Sequence, residues 1–182
     1  MTRIAPATPP YEPTIAAELE RIMPPGLEPL RLFRTLARSP RVFAKIFAGG
    51  YLDKGPLDLR QREILIDRTT ARLGCEYEWG VHVALFGKRV GFGEAEVAAI
   101  THGPADATCW APDEQALIAL VDDLVDRRTI GDATWQVAAG FFDEVQLLEA
   151  IAIVGFYHTI SFLCRSLELP LESYGARFPV SA

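Results

Sequence analysis

Nine residues near the middle of the chain, Gly74 to His82, read GCEYEWGVH and carry a thiol, two carboxylates, a phenol, an indole and an imidazole. Helical spacing places Cys75, Glu78 and His82 at i, i+3 and i+7, along one stripe of a helix. A carboxylate four residues before an imidazole can orient the ring, decide which nitrogen carries the proton and raise its pKa. Such a pair serves as a general acid or base near neutral pH. The same spacing also fits an ordinary helix-surface pair, worth ~0.2–0.5 kcal/mol. Glu63 and Asp67, four apart upstream, form a second acidic stripe. If the two helices fold back on each other after Gly74, Glu63 comes to face Glu78 and His82.

Redox and metal chemistry draw on the same residues. A helix start lowers a thiol pKa, but Glu76 and Glu78 follow Cys75 at once and oppose the thiolate. Cys109 and Cys164 are remote in sequence, so Cys75 reads as a lone thiol, more naturally a small buried residue than a redox centre. Three widely spaced cysteines imply no disulfide framework and suit a reducing, cytoplasmic setting. Glu63, Glu78 and His82 could hold a metal, yet neither HExxH nor CxxC is present, and no metal or other cofactor is expected. His102 reads as a helix-end residue. Glu149 and His158, nine apart on one apolar helix, do not share a face, and a buried Glu149 would need a partner.

The elements that would position these groups are helical throughout. Pro13 opens a helix through Met23 that PPG stops, and two more short helices divide near Ser39-Pro40. Asp58 can cap a helix through Leu73, and Gly74 suits its end. A further helix runs from about Glu76 to Val90, closed by Gly91 and Gly93. GEAEVAAITHG, APDEQALIALVDDLVDRR and DATWQVAAGFF each carry helix signals. DEVQLLEAIAIVGFYHTISFLCRSLEL is a long apolar helix that ends before Pro170. No period-two run predicts a sheet, so the fold class is all-α. Between Glu149 and His158 the uncharged stretch is too short to cross ~30 Å of hydrocarbon. A core helix surrounded by neighbours, not a membrane span, is expected there.

With 182 residues, 49% of them hydrophobic, the chain suits one domain with a small appendage. A net charge of -6 with no basic stripe argues against nucleic acid. The start of the chain, MTRIAPATPPYEPT, has no apolar run that could serve as a signal-peptide core.

Pro56 to Ile100 and Asp143 to Glu172 resemble the carboxymuconolactone decarboxylase family, whose superfamily includes the alkylhydroperoxidase D proteins. The peroxidase branch carries a Glu, a CxxC and a His four residues after the second Cys; these fall on Glu63, Cys75, Glu78 and His82. Glu78 thus stands where the second thiol belongs, and Tyr77 where some peroxidases carry a histidine. EYEWGVH is closer to the decarboxylase-like branch, in which a carboxylate and a histidine work without thiols. The resemblance implies an alkylhydroperoxidase D-like helical bundle, residues 53–182, behind an N-terminal arm and helical extension, residues 1–52. It further implies a homo-oligomer (dimer, trimer or hexamer) and a small cyclic organic acid or lactone as substrate. In that reading His82 moves the proton, Glu78 orients it, Glu63 supports it, and Tyr77 and Trp79 shape the pocket. Two rivals stand beside it: a thiol peroxidase using Cys75, and a non-enzymatic helical oligomer whose polar stripe stabilises a subunit contact.

Overall fold

The computed structural model describes residues 2–51 and 53–180 and contains α-helices, a π-helical segment and connecting loops, with no strand among those residues. Residues 1, 52, 181 and 182, at the limits of the two expected segments, lie outside the described residues. The helices are α1 (Pro13–Ile22), α2 (Arg31–Leu36), α3 (Pro40–Ala48), α4 (Leu59–Arg72), α5 (Glu76–His82), α6 (Glu94–His102), α7 (Pro112–Arg127), α8 (Asp132–Ala139) and α9 (Glu144–Ser166).

Their ends follow the side chains that satisfy free backbone groups. Asp58 and Gln61 cap α4 reciprocally, and Asp143 and Gln146 do the same for α9, each cap being worth ~1 kcal/mol. Pro stands in the first turn of α1, α3 and α7, where its missing N–H costs nothing. Gly74, at φ +63°, turns the chain between α4 and α5, a backbone geometry that glycine adopts without strain. At Val83–Gly87 α5 continues as a π-helical turn instead of a regular helix to Val90.

Helix α4 is the axis of the molecule and packs against α5, α6, α7 and α9. Ile64, Leu65 and Ile66 are fully buried, and they meet Leu117, Leu120 and Val121 of α7 and Ile153 and Ile160 of α9 in one core. Full burial of each such aliphatic chain is worth ~1.5–3 kcal/mol. Arg68, at 2% exposure, makes paired 2.7 Å bonds to both Asp122 oxygens. It also donates to the Ile100 and Gly103 carbonyls at the end of α6, so one buried guanidinium joins α4, α6 and α7. The C-terminal strap crosses α5: Ala176 N–H donates to the Gly80 carbonyl at 2.9 Å. A Cβ on Gly80 would collide with the Ala176 carbonyl.

Helix α9 is long and apolar enough to cross a membrane by composition, and it packs on α4, α5, α7 and α8. The expectation that neighbours surround it is corrected in one respect. Its inner face is buried through Ile153, Val154, Tyr157 and Ile160, while Val145, Leu148 and Phe162 stand exposed on the other. Glu149 is corrected as well: it is partly exposed and lies over Gly55.

Candidate active site

Gly74 reverses the chain, so α5 runs back along α4 and the end of one meets the start of the other. Glu63, in the second turn of α4, accepts a 2.7 Å hydrogen bond from Nδ1 of His82, in the last turn of α5. On the other side of the ring, Nε2 lies 3.2 Å from the Tyr157 hydroxyl on α9 and 3.5 Å from Glu78 Oε1. Glu63, Glu78, His82 and Tyr157 are all buried. Three helices thus converge on one imidazole.

Burial is the largest influence on His82 and opposes its charge. Glu63 and Glu78 together outweigh it and hold the ring well above the ordinary 6.5. The site therefore contains an imidazolium, with Nδ1–H given to Glu63 and Nε2–H directed toward Tyr157 and Glu78. Tyr157 is pushed well above 10 by burial first and then by the Glu78 and Glu63 carboxylates, and keeps its proton. Asp67, one turn beyond Glu63, is completely buried and neither of its oxygens has a hydrogen-bond partner. Burial and the Glu63 charge raise it well above 3.8, so it is held as the neutral acid. Arg62 lies 3.7 Å from the second Glu63 oxygen.

Nε2 and Glu78 face a cavity of about 600 Å³. It is lined by Val81, His82, Phe86, Phe156 and Tyr157 and, from the N-terminal segment, by Met23, Leu30, Phe33 and Phe47. Arg62 and Arg89 also line it, with Arg89 at 5.8 Å over the Phe86 ring. Oxygen Oε2 of Glu78 is buried and has no protein partner, which leaves it able to accept a hydrogen bond from a guest.

Of the residues singled out from sequence, Glu63, Glu78 and His82 come together. The division of roles differs from expectation: Glu63, not Glu78, makes the short bond that orients the ring. Tyr77 and Trp79 do not line the cavity. They project from other sides of α5, and the Tyr77 hydroxyl bonds Glu172 and the Leu32 N–H. Trp79 packs edge-on against Phe178 of the strap. Cys75 is off the cavity too, because it caps the start of α5 and turns toward α9. His158 bonds the Val154 carbonyl one turn back, and His102 the Pro179 carbonyl. No group of three or more possible metal ligands occurs among the described residues. Tyr157 is the site residue that sequence spacing missed. It stands between Phe156 and His158 on α9, 75 positions from its partner.

Residues 39–123 match the model of the Carboxymuconolactone decarboxylase family. No protein of curated function matches by sequence. Among solved structures, a peroxidase-related protein from Silicibacter sp. TM1040 superposes with a TM-score of 0.82 at 13% identity, covering 98% of this chain and 96% of that one. The alkylhydroperoxidase AhpD core of a peroxidase-related protein from Ralstonia eutropha JMP134 gives 0.76 at 17% identity, covering 95% of each. An Agrobacterium tumefaciens protein of unknown function, suggested to be the antioxidant defence protein AhpD, gives 0.69 at 16%, covering 75% of this chain and 94% of that one. The match over residues 39–123 makes this part of the chain similar to the carboxymuconolactone decarboxylase family, and the chain shares the helical fold of the AhpD-like structures.

Proposed function

We propose that the chain is an acid–base enzyme of the decarboxylase-like branch, acting on a small organic acid or lactone. The observation that supports this most is the line Glu63–His82–Tyr157, which ends at a largely apolar cavity with none of the three cysteines on its wall. With Nδ1–H committed to Glu63, the proton on Nε2 is the one His82 can give to a guest. In a decarboxylation the carbon–carboxylate bond breaks, carbon dioxide leaves, and the electron pair passes to the carbon or its conjugated carbonyl. The His82 proton then goes to that carbon, and neutral His82 recovers a proton from water by way of Tyr157. The same acid–base pair could move a proton within a lactone and so isomerise it.

The apolar wall desolvates a carboxylate held there, which favours its loss as carbon dioxide. Arg89 and Arg62 suit an acidic substrate, and the partnerless Glu78 oxygen suits one that carries a hydroxyl. In this reading the N-terminal segment, residues 1–52, selects the substrate, since its Met23, Leu30, Phe33 and Phe47 line the same cavity as His82. The reaction needs no metal or organic cofactor, and the reading keeps the enzyme in the cytoplasm.

The test is a panel of small lactone acids and β-keto acids in deuterated water, followed by NMR. Turnover with deuterium at the carbon that lost its carboxylate is the expected result. His82→Gln should lower the rate by ~10²–10⁴-fold, the usual worth of a positioned acid, with an unchanged circular dichroism spectrum. Activity in that variant within about tenfold of the natural protein would be below what such an acid contributes and would end the assignment.

A further inference from the structure

The cavity beside His82 is larger than proton transfer to a small lactone requires. Its volume of about 600 Å³ corresponds to about 20 water-sized volumes at ~30 Å³ each. A single-ring lactone acid of about ten non-hydrogen atoms would leave roughly half of that space to water. Water there would be poorly held, because a buried water needs several polar partners and most of the lining is aliphatic or aromatic. Met23, Leu30, Phe33 and Phe47 of the N-terminal segment and Phe156 of α9 supply much of that apolar lining.

The charged part of the lining is gathered around the imidazole. Glu63 connects His82 to Arg62: one of its oxygens accepts from Nδ1 at 2.7 Å, and the other lies 3.7 Å from Arg62 Nε. Arg62 is anchored through Nη1 to the Tyr51 and Asp53 carbonyls, while its buried Nε has no hydrogen-bond partner. Phe86 connects His82 to Arg89: its ring lies 5.5 Å from the imidazole, and the Arg89 guanidinium is 5.8 Å from the centre of that ring. Glu78, 6% exposed, adds the oxygen that has no partner. Arg21, which also lines the cavity, is taken by Glu18.

We infer that the substrate of this site is a carboxylic acid with an extended apolar body of about twelve to sixteen carbons, its acid end among Arg62, Arg89 and His82 and its body along the N-terminal segment. The two guanidiniums that flank the imidazole match a carboxylate in charge. A carbonyl two carbons along accepts the Nε2 proton of His82, and its enol form donates to the free Glu78 oxygen. The apolar body displaces water that the aliphatic and aromatic lining cannot hold, which gives each methylene a share in binding. The inference rests on the acid–base reading for the fate of the acid, and on the cavity alone for its length.

The experiment titrates the full chain with saturated acids from butanoate to dodecanoate, below their micelle concentrations, by calorimetry. The His82 ring is followed by ¹⁵N NMR in the same mixtures. Affinity should rise about three- to fourfold for each added methylene, and dodecanoate should shift the His82 signals saturably. Dodecanol, which lacks the charge, should bind about tenfold more weakly, the worth of a charge-assisted hydrogen bond. Equal affinity for butanoate and dodecanoate would overturn the inference, as would dodecanol binding as tightly as dodecanoate. So would dodecanoate binding that leaves the His82 signals unmoved, since the acid then sits elsewhere, such as the exposed side of α9. Turnover separates this inference from the reading it rests on. Here 3-oxobutanoate is compared with 3-oxododecanoate, each losing carbon dioxide to leave a methyl ketone, and kcat/KM should be at least about 100-fold higher for the longer acid. Equal values would overturn the length and leave the acid–base reading standing. Length-dependent binding at His82 with no turnover of either acid would do the reverse.

Discussion

His82 gains its proton from two carboxylates, and that gain ties stability to pH. Its pKa in the folded chain lies well above the 6.5 of an unrestrained imidazole, so the folded state holds a proton that the unfolded state releases above 6.5. The His82 contribution is fully present below that pH and is lost as pH rises through the folded value. Asp67 has the same sign, since its folded pKa is raised from 3.8 by burial and by Glu63. At neutral pH Asp67 is a carboxylic acid that must take up a proton when the chain folds, a cost that an amide does not incur. We therefore predict that Asp67→Asn melts at or above the temperature of the natural protein at pH 7.5, read by circular dichroism. A fall of more than about 3 °C, of order 1 kcal/mol in a domain of this size, would mean that Asp67 is charged and paired. The sequence showed Glu63, Glu78 and His82 because helical periodicity puts them on facing stripes. It did not show Tyr157, which depends on how α9 crosses α5.

Helix boundaries were legible because caps, prolines and glycines are local signals, and α4 and α7 begin where Asp58 and Pro112 indicate. The π-helical turn at Val83–Gly87 was not legible. It accommodates an extra residue per turn, and nothing in VALFG distinguishes it from a regular helix. Nor was the role of Arg68 legible, since the α6 carbonyls and Asp122 that surround it come from distant segments. Arg68→Ala leaves Asp122 with only the longer 3.7 Å contact to Arg72 and the end of α6 without its donor. We predict a loss of ~3–5 kcal/mol, the usual result of breaking a buried pair from one side, measured by urea unfolding. An effect below about 1 kcal/mol, the range of exposed pairs, would show that water replaces the guanidinium without cost.

An apolar surface left uncovered runs along one side of α9. Val145, Leu148 and Phe162 are exposed there, with Ala152, Gly155 and Thr159 completing a seam of alternating three- and four-residue steps. Such a seam is the pattern by which one helix packs along another. We propose that it meets the same seam of a second copy, antiparallel across Gly155. There an added Cβ would touch nothing within the chain, so two backbones can approach closely. Antiparallel pairing also sets Asp143 and Glu144 of one chain toward Arg165 of the other, which gives charge complementarity. Light scattering after size-exclusion chromatography should report more than one chain per particle, and Leu148→Glu with Phe162→Glu should return it to 20.1 kDa. A natural protein that elutes at that mass across the micromolar range would remove the pairing. The family's expected oligomer was suggested by resemblance alone; the seam names the surface that would form it.

The most direct test of the acid–base account is the titration of His82 itself. With only three histidines in the chain, its ring nitrogens can be followed by NMR in a ¹⁵N-labelled sample and assigned by loss of signal in His82→Gln. The account predicts a ring that stays doubly protonated through neutral pH and titrates well above 6.5, and whose pKa falls when Glu63→Gln removes the facing charge. A His82 that titrates at or below 6.5, or that ignores the loss of Glu63, would contradict it.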